Sequence, residues 1–442
     1  MAPSPDSPSG LPLSDGEGIE VLAADWTSDR LVDLTLATTA LAEPVHVRIL
    51  LPTDYRVDPD RRYPTLYLLH GGQADSLDGL DYLAWTEEGD AAAITADLPL
   101  IVVMPQGGSG GFYTDWWNGG NGGPPAWETF HIGQLLPWVD RNLRTGAHWA
   151  GRAIAGPSMG GFGALSYAAR HPDLFLAASS FSGACDLTHP TIQRTASAVL
   201  AVSAQADGGG PHDIFGPWTT SELVWRSHDP ASLAGNLRHT RLSLVTGNGD
   251  PGPLDPPGTE PSPLEVLVHR ATLSLHDRLV DLAIDHHFDD YGPGTHTWPY
   301  WQRDLRDVLP WILVAFVSRP APPEAFTHSS ADSRYSVWGW EVEIRRTAAE
   351  FSTLAVAGPE EFEVAGSGSA AVVTPPRYRP GSRFAVRMTG GPVRSTEGAT
   401  ADAEGRLRLF VPLGPANPLQ QYTPAGVHRT QVYRTTVTLE PR

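Results

Sequence analysis

Five consecutive residues constrain this chain more than any others: Gly156-Pro157-Ser158-Met159-Gly160. A serine flanked by glycines at a spacing of two lets the backbone turn sharply where side chains would otherwise collide. The run before it, Arg152-Ala-Ile-Ala, is short and apolar, as strands buried on both faces of a parallel sheet are. The run after it, Gly161-Phe-Gly-Ala-Leu-Ser-Tyr-Ala-Ala, is a helix of small residues that can pack close to a sheet. Strand, strained turn and helix in this order lift Ser158 Oγ above the carboxyl end of a strand, where it can act as a nucleophile. A Gly-rich turn of purely structural use has the same five letters in a chain with 45 glycines, so the flanking elements carry the argument.

Those elements recur. Ile19-Glu-Val-Leu, Leu31 to Leu36 and Val45 to Leu51 alternate with turn residues, as the antiparallel edge of a sheet does. Tyr67-Leu-Leu and Leu100 to Met104 are continuously apolar, and Leu174 to Phe181, Arg241 to Val245 and Ala283 to Phe288 are further strand-like runs. Helical spacing appears over Trp127 to Leu143, Leu264 to Leu282 and Trp298 to about Val317. This alternation predicts an α/β-hydrolase fold with a mainly parallel central sheet and helices on both faces. Arg319-Pro-Ala-Pro-Pro then breaks the pattern, and Tyr335 to Arg345, Val372 to Thr374, Arg383 to Arg387, Leu407 to Pro412 and Gln431 to Leu439 predict a C-terminal all-β sandwich-like domain. The expected organisation is a flexible segment over 1–18, a catalytic domain over 19–318, a Pro-rich linker over 319–325 and an accessory β-domain over 326–442.

Composition narrows the function classes. Hydrophobic residues make up 41% and charged residues 18%, which suits a globular chain with a sizeable core. Acidic residues (50) outnumber Lys plus Arg (31), and a formal charge of −19 repels phosphate backbones and anionic membranes, so no nucleic-acid partner is expected. Cys185 is the single cysteine, which excludes an intramolecular disulfide and leaves the redox compartment open. There is no run of 18 apolar residues, so no transmembrane segment is expected, and no signal peptide is visible. The chain is expected to be cytoplasmic if full length and secreted if it is a trimmed mature form.

A serine hydroxyl needs a histidine to take its proton and an acid to orient that histidine. Among 16 histidines, His296 in Gly294-Thr-His-Thr-Trp298 is best placed, in a loop after the last strand-like run and before the final helix. His286 and His287 lie within a strand-like run and suit packing better than base catalysis. For the acid, Asp250 in Gly247-Asn-Gly-Asp follows the strand Arg241 to Val245, where this fold often places it, and the pattern favours it slightly. Glu265 is the alternative, although Ser262-Pro-Leu-Glu265 also reads as a helix capping box. Oxyanion donors are expected from the amides of Met159 and of Gly72, the latter in His70-Gly-Gly-Gln73 after an early strand. Gln73 is its neighbour in the site, and Tyr113, Trp116 and Trp117, in the Gly- and aromatic-rich run from Gln106 to Gly123, are expected to contact an acyl chain or sugar, with Trp298. A cluster that merely pins the loop is the structural alternative. Cys/His spacing for zinc and a calcium-loop pattern are both missing, so no metal and no cofactor are expected.

Residues from about 60 to 318 resemble the esterase D superfamily and, within it, the mycobacterial mycolyltransferases of the antigen 85 complex. The likeness rests on Val103-Met-Pro-Gln-Gly-Gly, Phe112-Tyr-Thr-Asp-Trp, Trp127-Glu-Thr-Phe, Gly156-Pro-Ser-Met-Gly, Phe215-Gly-Pro, Gly247-Asn-Gly, Leu264-Glu265 and Gly294-Thr-His-Thr-Trp-Pro-Tyr-Trp301. The resemblance implies Glu265, not Asp250, as the acid. It departs at His70-Gly-Gly-Gln73, where the mycolyltransferases carry Asp-Gly-Leu-Arg to hold a trehalose head group, and at Asn118 to Pro125, which replaces a cysteine pair. The C-terminal region lies outside it.

Three functions follow as expectations. The first is a serine esterase acting on a small-molecule or glycolipid ester, and the second an acyltransferase moving the same acyl group to a sugar hydroxyl. The third is a non-catalytic protein that binds carbohydrate or protein on a hydrolase scaffold, with the C-terminal domain as a candidate carbohydrate contact.

Overall fold

The structure, a computed structural model, describes residues 11–72, 80–390 and 393–442. The chain divides into two compact units. The first comprises Met1–Ala168, Leu174–Gly216 and Asp229–Pro320. Its sheet contains β1 (Ile19–Trp26), β2 (Leu31–Thr38), β3 (Val45–Leu50), β4 (Thr65–Leu68), β5 (Ile101–Pro105), β6 (Arg152–Pro157), β7 (Ala177–Phe181), β8 (Arg241–Thr246) and β9 (His287–Asp290), in the order β1-β2-β3-β5-β4-β6-β7-β8-β9. β1, β2, β3 and β5 pair antiparallel in succession, and β5-β4-β6-β7-β8-β9 run parallel. The α/β-hydrolase fold and its antiparallel edge therefore stand as the sequence predicts.

The apolar runs explain the central strands. β4, β5, β6 and β7 are buried at every position, because helices cover both faces. Four helices matter to the site: α1 (Met159–Arg170), α2 (Gln193–Ala206), α3 (Pro263–Asp281) and α4 (Trp298–Ser318). One side of the core joins Leu66, Leu68, Val102 and Ala153 of the strands to Leu305, Val308, Leu309 and Ile312 of α4. Fully burying one such aliphatic side chain contributes roughly 1.5–3 kcal/mol, which sets the scale of that layer.

The sequence predicts a strand from Ala283, whereas β9 begins at His287. The reason is local: Ala283 takes φ 50° and Ile284 N bonds back to Leu279 O at 2.9 Å, so the chain is still closing the end of α3. No helix among the described residues is long and apolar enough to cross a membrane.

The second unit comprises Ala169–Asp173, Pro217–His228 and Ala321–Arg442. It contains one antiparallel sheet of six strands and one of four, and residues of both, among them Trp340, Phe362, Val372, Val386, Val411 and Val437, form one apolar core. This is a β-sandwich. Tyr335 to Arg345, read as one run, is a hairpin of Arg334–Val337 and Trp340–Arg345 turning at Trp338 and Gly339, both at positive φ.

Candidate active site

Ser158 sits between β6 and α1 at φ 53°. A non-glycine residue in this left-handed region costs about 1–2 kcal/mol, so the surroundings must hold it there. They do so through Ser158 N, which donates to Phe181 O of β7 at 2.9 Å, and through Ser158 O, which accepts from Phe162 N at 3.1 Å. The flanking glycines are required by close approach. A Cβ on Gly156 would stand 2.7 Å from the carbonyl carbon of Gly160, and one on Gly160 would stand 2.5 Å from His70 O.

Glu265 lies in the first turn of α3, capped by Ser262, whose Oγ accepts from Glu265 N at 3.2 Å. Only half of the predicted capping box forms, because Ser262 N donates to Gly249 O and the Glu265 side chain turns inward. Its carboxylate is fully buried. Oε1 accepts from Ser182 Oγ at 2.7 Å, Gly247 N at 2.9 Å and Thr246 Oγ1 at 3.3 Å, and Oε2 accepts from His296 Nδ1 at 2.6 Å. The carboxylate on Nδ1 fixes the tautomer with its proton there, which leaves Nε2 as a bare acceptor. That Nε2 is buried and has no hydrogen-bond partner among the described residues. Asp250 is not brought to His296. It is exposed, and its backbone N–H closes a turn onto Asn248 Oδ1 at 2.9 Å.

The loop 70–72 lies against the serine turn. A Cβ on Gly71 would be 3.5 Å from Ser158 Cβ, and one on Gly72 4.0 Å from Met159 Cβ. Neither Gly72 N nor Met159 N donates to another group among the described residues. His70, given no role of its own in the motif His70-Gly-Gly-Gln73, braces this loop: Nδ1 donates to Gly71 O at 2.6 Å and Nε2 accepts from Gly107 N at 2.8 Å. Burial lowers its pKa, which keeps the ring neutral as this pairing needs. Gln73 lies outside the described residues.

Below Ser158 opens a cavity of about 460 Å³. Gly72, Ser158 and Met159 form one end; Ala196, Val199 and Leu200 of α2 face Leu264, Leu267 and Val268 of α3 along its walls. The expected aromatic wall is elsewhere. Tyr113 is fully buried, donates from its hydroxyl to His70 O at 2.9 Å and packs under the loop. Trp116 is buried with Nε1 donating to Gly111 O at 3.1 Å, and Trp117 N donates to Ile214 O at 2.9 Å. Trp298 packs edge-on against Trp85 and Trp301, with centroids 5.2 and 5.1 Å apart. None of these four lines the cavity. Helix α2, absent from the sequence reading, supplies a wall instead, and the signal for it was Ala196, Val199, Leu200 and Ser203 at helical spacing.

The chain matches the family described as "Putative esterase" over residues 38–312. An esterase of Mycobacterium tuberculosis (strain H37Rv) is 36% identical over 311 residues, 70% of this chain and 65% of its own length. The chain thus spans about two thirds of that relative. The diacylglycerol acyltransferase/mycolyltransferase Ag85B of Mycolicibacterium smegmatis is 32% identical over 55% of this chain and 75% of its own. Among solved structures, Mycobacterium tuberculosis MPT51 (FbpC1) aligns with a TM-score of 0.52 and 25% identity, over 64% of this chain and 97% of that one.

Proposed function

Because the chain belongs to this esterase family, we propose that it cleaves a carboxylic ester through an acyl-enzyme on Ser158, with His296 as general base and Glu265 as its orienting acid. The observation that carries this reading is the His296 Nδ1 to Glu265 Oε2 bond of 2.6 Å, with Nε2 unpartnered among the described residues. Ser158 Oγ attacks the ester carbonyl as its proton passes to Nε2. The carbonyl π-electrons move onto oxygen, and the N–H groups of Met159 and Gly72 stabilise that charge. Collapse expels the alkoxide, which takes the proton from Nε2 and leaves as the alcohol. Water then repeats the sequence on the acyl-enzyme: His296 takes one water proton, the carboxylic acid departs, and Ser158 Oγ regains its hydrogen. Glu265 holds the ring in place throughout, with three donors on Oε1 and the His296 ring on Oε2. The apolar cavity beside Ser158 suits the acyl group.

The likeness to Ag85B supports a second reading, in which a sugar hydroxyl instead of water clears the same acyl-enzyme. The test is turnover of p-nitrophenyl esters from acetyl to long acyl chains by wild type and Ser158→Ala, with and without candidate sugar acceptors. Loss of turnover by about 10⁴-fold or more in the variant supports the serine mechanism. Equal rates in the two proteins refute it and revive the binding-protein alternative.

A further inference from the structure

Behind the histidine loop lies a second, smaller cavity of about 150 Å³, walled by β8, β9 and α4. The register sets Ser243 of β8 beside His287 of β9, and Val245 beside Asp289. Across from them α4 presents Asp304 and Asp307 at a helical spacing of three, on one face. Asp304 and Ser243 are 1% and 0% exposed and form the floor, while His287, Asp289 and Asp307 are exposed at the mouth. Asp304 Oδ1 accepts from Arg303 Nη2 at 2.6 Å, but Asp304 Oδ2 and Ser243 Oγ, both buried, have no partner among the described residues. Arg303 does not swing to meet Oδ2, since its guanidinium also lies 3.8 Å above the Tyr291 ring.

We propose that this cavity binds a hydrated divalent cation, which ties together the two ends of the segment carrying His296. The donors are hard oxygens with one imidazole, the set that magnesium and calcium prefer. Charge agrees: three aspartates against one arginine leave two negative charges when all are ionised. Among the described residues no three His, Cys, Asp or Glu side chains converge to grip a bare ion, so the ion keeps part of its water shell, as magnesium does when one or two carboxylates hold it. Asp289 is the penultimate residue of β9 and Asp304 lies in the second turn of α4, so the bridge spans residues 291–297 and anchors the loop bearing His296.

The test is isothermal titration calorimetry on the full chain after chelation, with magnesium chloride and calcium chloride run separately. One site is expected for at least one ion at submillimolar to millimolar affinity, about 10⁻⁴–10⁻³ M. Asp289→Asn and Asp307→Asn change exposed carboxylates that the core does not need, and each weakens binding by about tenfold or more. Asp250→Asn leaves binding unchanged, and in wild type the ion slows amide exchange over residues 285–300. Absence of binding by wild type to either ion at about 10 mM, or binding retained by the folded Asp289→Asn/Asp307→Asn double variant, overturns the proposal. No ester is turned over in this experiment, so its outcome is separate from that of the esterase assay.

Discussion

Two carboxylates compete for one role, and their surroundings separate them. Asp250 is exposed and meets solvent, whereas Glu265 is fully buried with one oxygen held by three donors and the other on His296 Nδ1. An amide in place of Glu265 keeps the shape but presents an N–H where a carboxylate oxygen stood, so the imidazole loses the acceptor that fixes its tautomer. Removing the charge of a triad acid in this way costs about 10⁴-fold in kcat. Glu265→Gln is therefore expected to lose roughly 10³–10⁴-fold in kcat with KM little changed, and Asp250→Asn to stay within about twofold. Steady-state kinetics on one p-nitrophenyl ester decides, and the reverse ranking would remove Glu265 from the mechanism. At this scale the sequence marked Ser158 and His296 by chain order and by glycine spacing, which are local signals. It left the acid open because the choice depends on how α3 is rotated, and that is a tertiary property. His70 and Ser182 were illegible for the same reason: their partners are respectively 37 and 83 residues further along the chain.

Elements reveal what the pattern could and could not carry. Buried parallel strands announce themselves as continuous apolar runs, and β4 to β8 fall within or beside the stretches read that way. Helix α2 did not, since Gln193–Ala206 is rich in Ala, Ser and Gln and its one apolar stripe is thin. That thinness is what leaves room for the cavity: small residues on α2 face leucines on α3, and space remains between them. In the aromatic run, Tyr113 and Trp116 take the loop-pinning role that the sequence offered as the alternative to a ligand wall, with Tyr113 Oη donating to His70 O and Trp116 Nε1 to Gly111 O. Helix α2 therefore supplies much of the cavity's lining. Val199→Trp, at a half-buried wall position, is expected to cut kcat/KM for decanoyl esters by about tenfold or more and leave acetyl esters within about threefold, since losing one good apolar contact region is worth ~1–3 kcal/mol. A chain-length profile measured on both proteins, with thermal melting to confirm folding, tests this, and parallel losses on short and long esters would place the acyl group elsewhere.

At the scale of the whole molecule, acid acts on buried groups of opposite kinds. His131 in the first unit and His328 in the second are buried and neutral, each with its pKa pushed down to about 3 by desolvation. An unfolded histidine titrates near 6.5, so these two contribute no pH dependence above that value. Below it the unfolded chain takes up protons that the folded chain refuses, and stability falls by up to ~1.4 kcal/mol per pH unit for each ring until about pH 3. Buried Asp229 runs the other way. Its pKa is raised to about 7, so the folded chain holds a proton that the unfolded chain has released, and acidification from about pH 7 to the unfolded value near 3.9 favours folding. The two effects oppose each other between about pH 6.5 and 4, and below about pH 4 the histidines act without that opposition. His328 Nδ1 has no partner among the described residues and its ring stands 5.3 Å from that of Tyr335, so a phenyl ring replaces it without stranding a hydrogen bond at that nitrogen. His328→Phe is expected to lose less Tm than wild type when pH is lowered from 7 to 4, followed by calorimetry so that the two units can be resolved if they melt apart. Equal losses in the two proteins would mean that His328 is protonated in the folded state, and that burial does not hold it neutral.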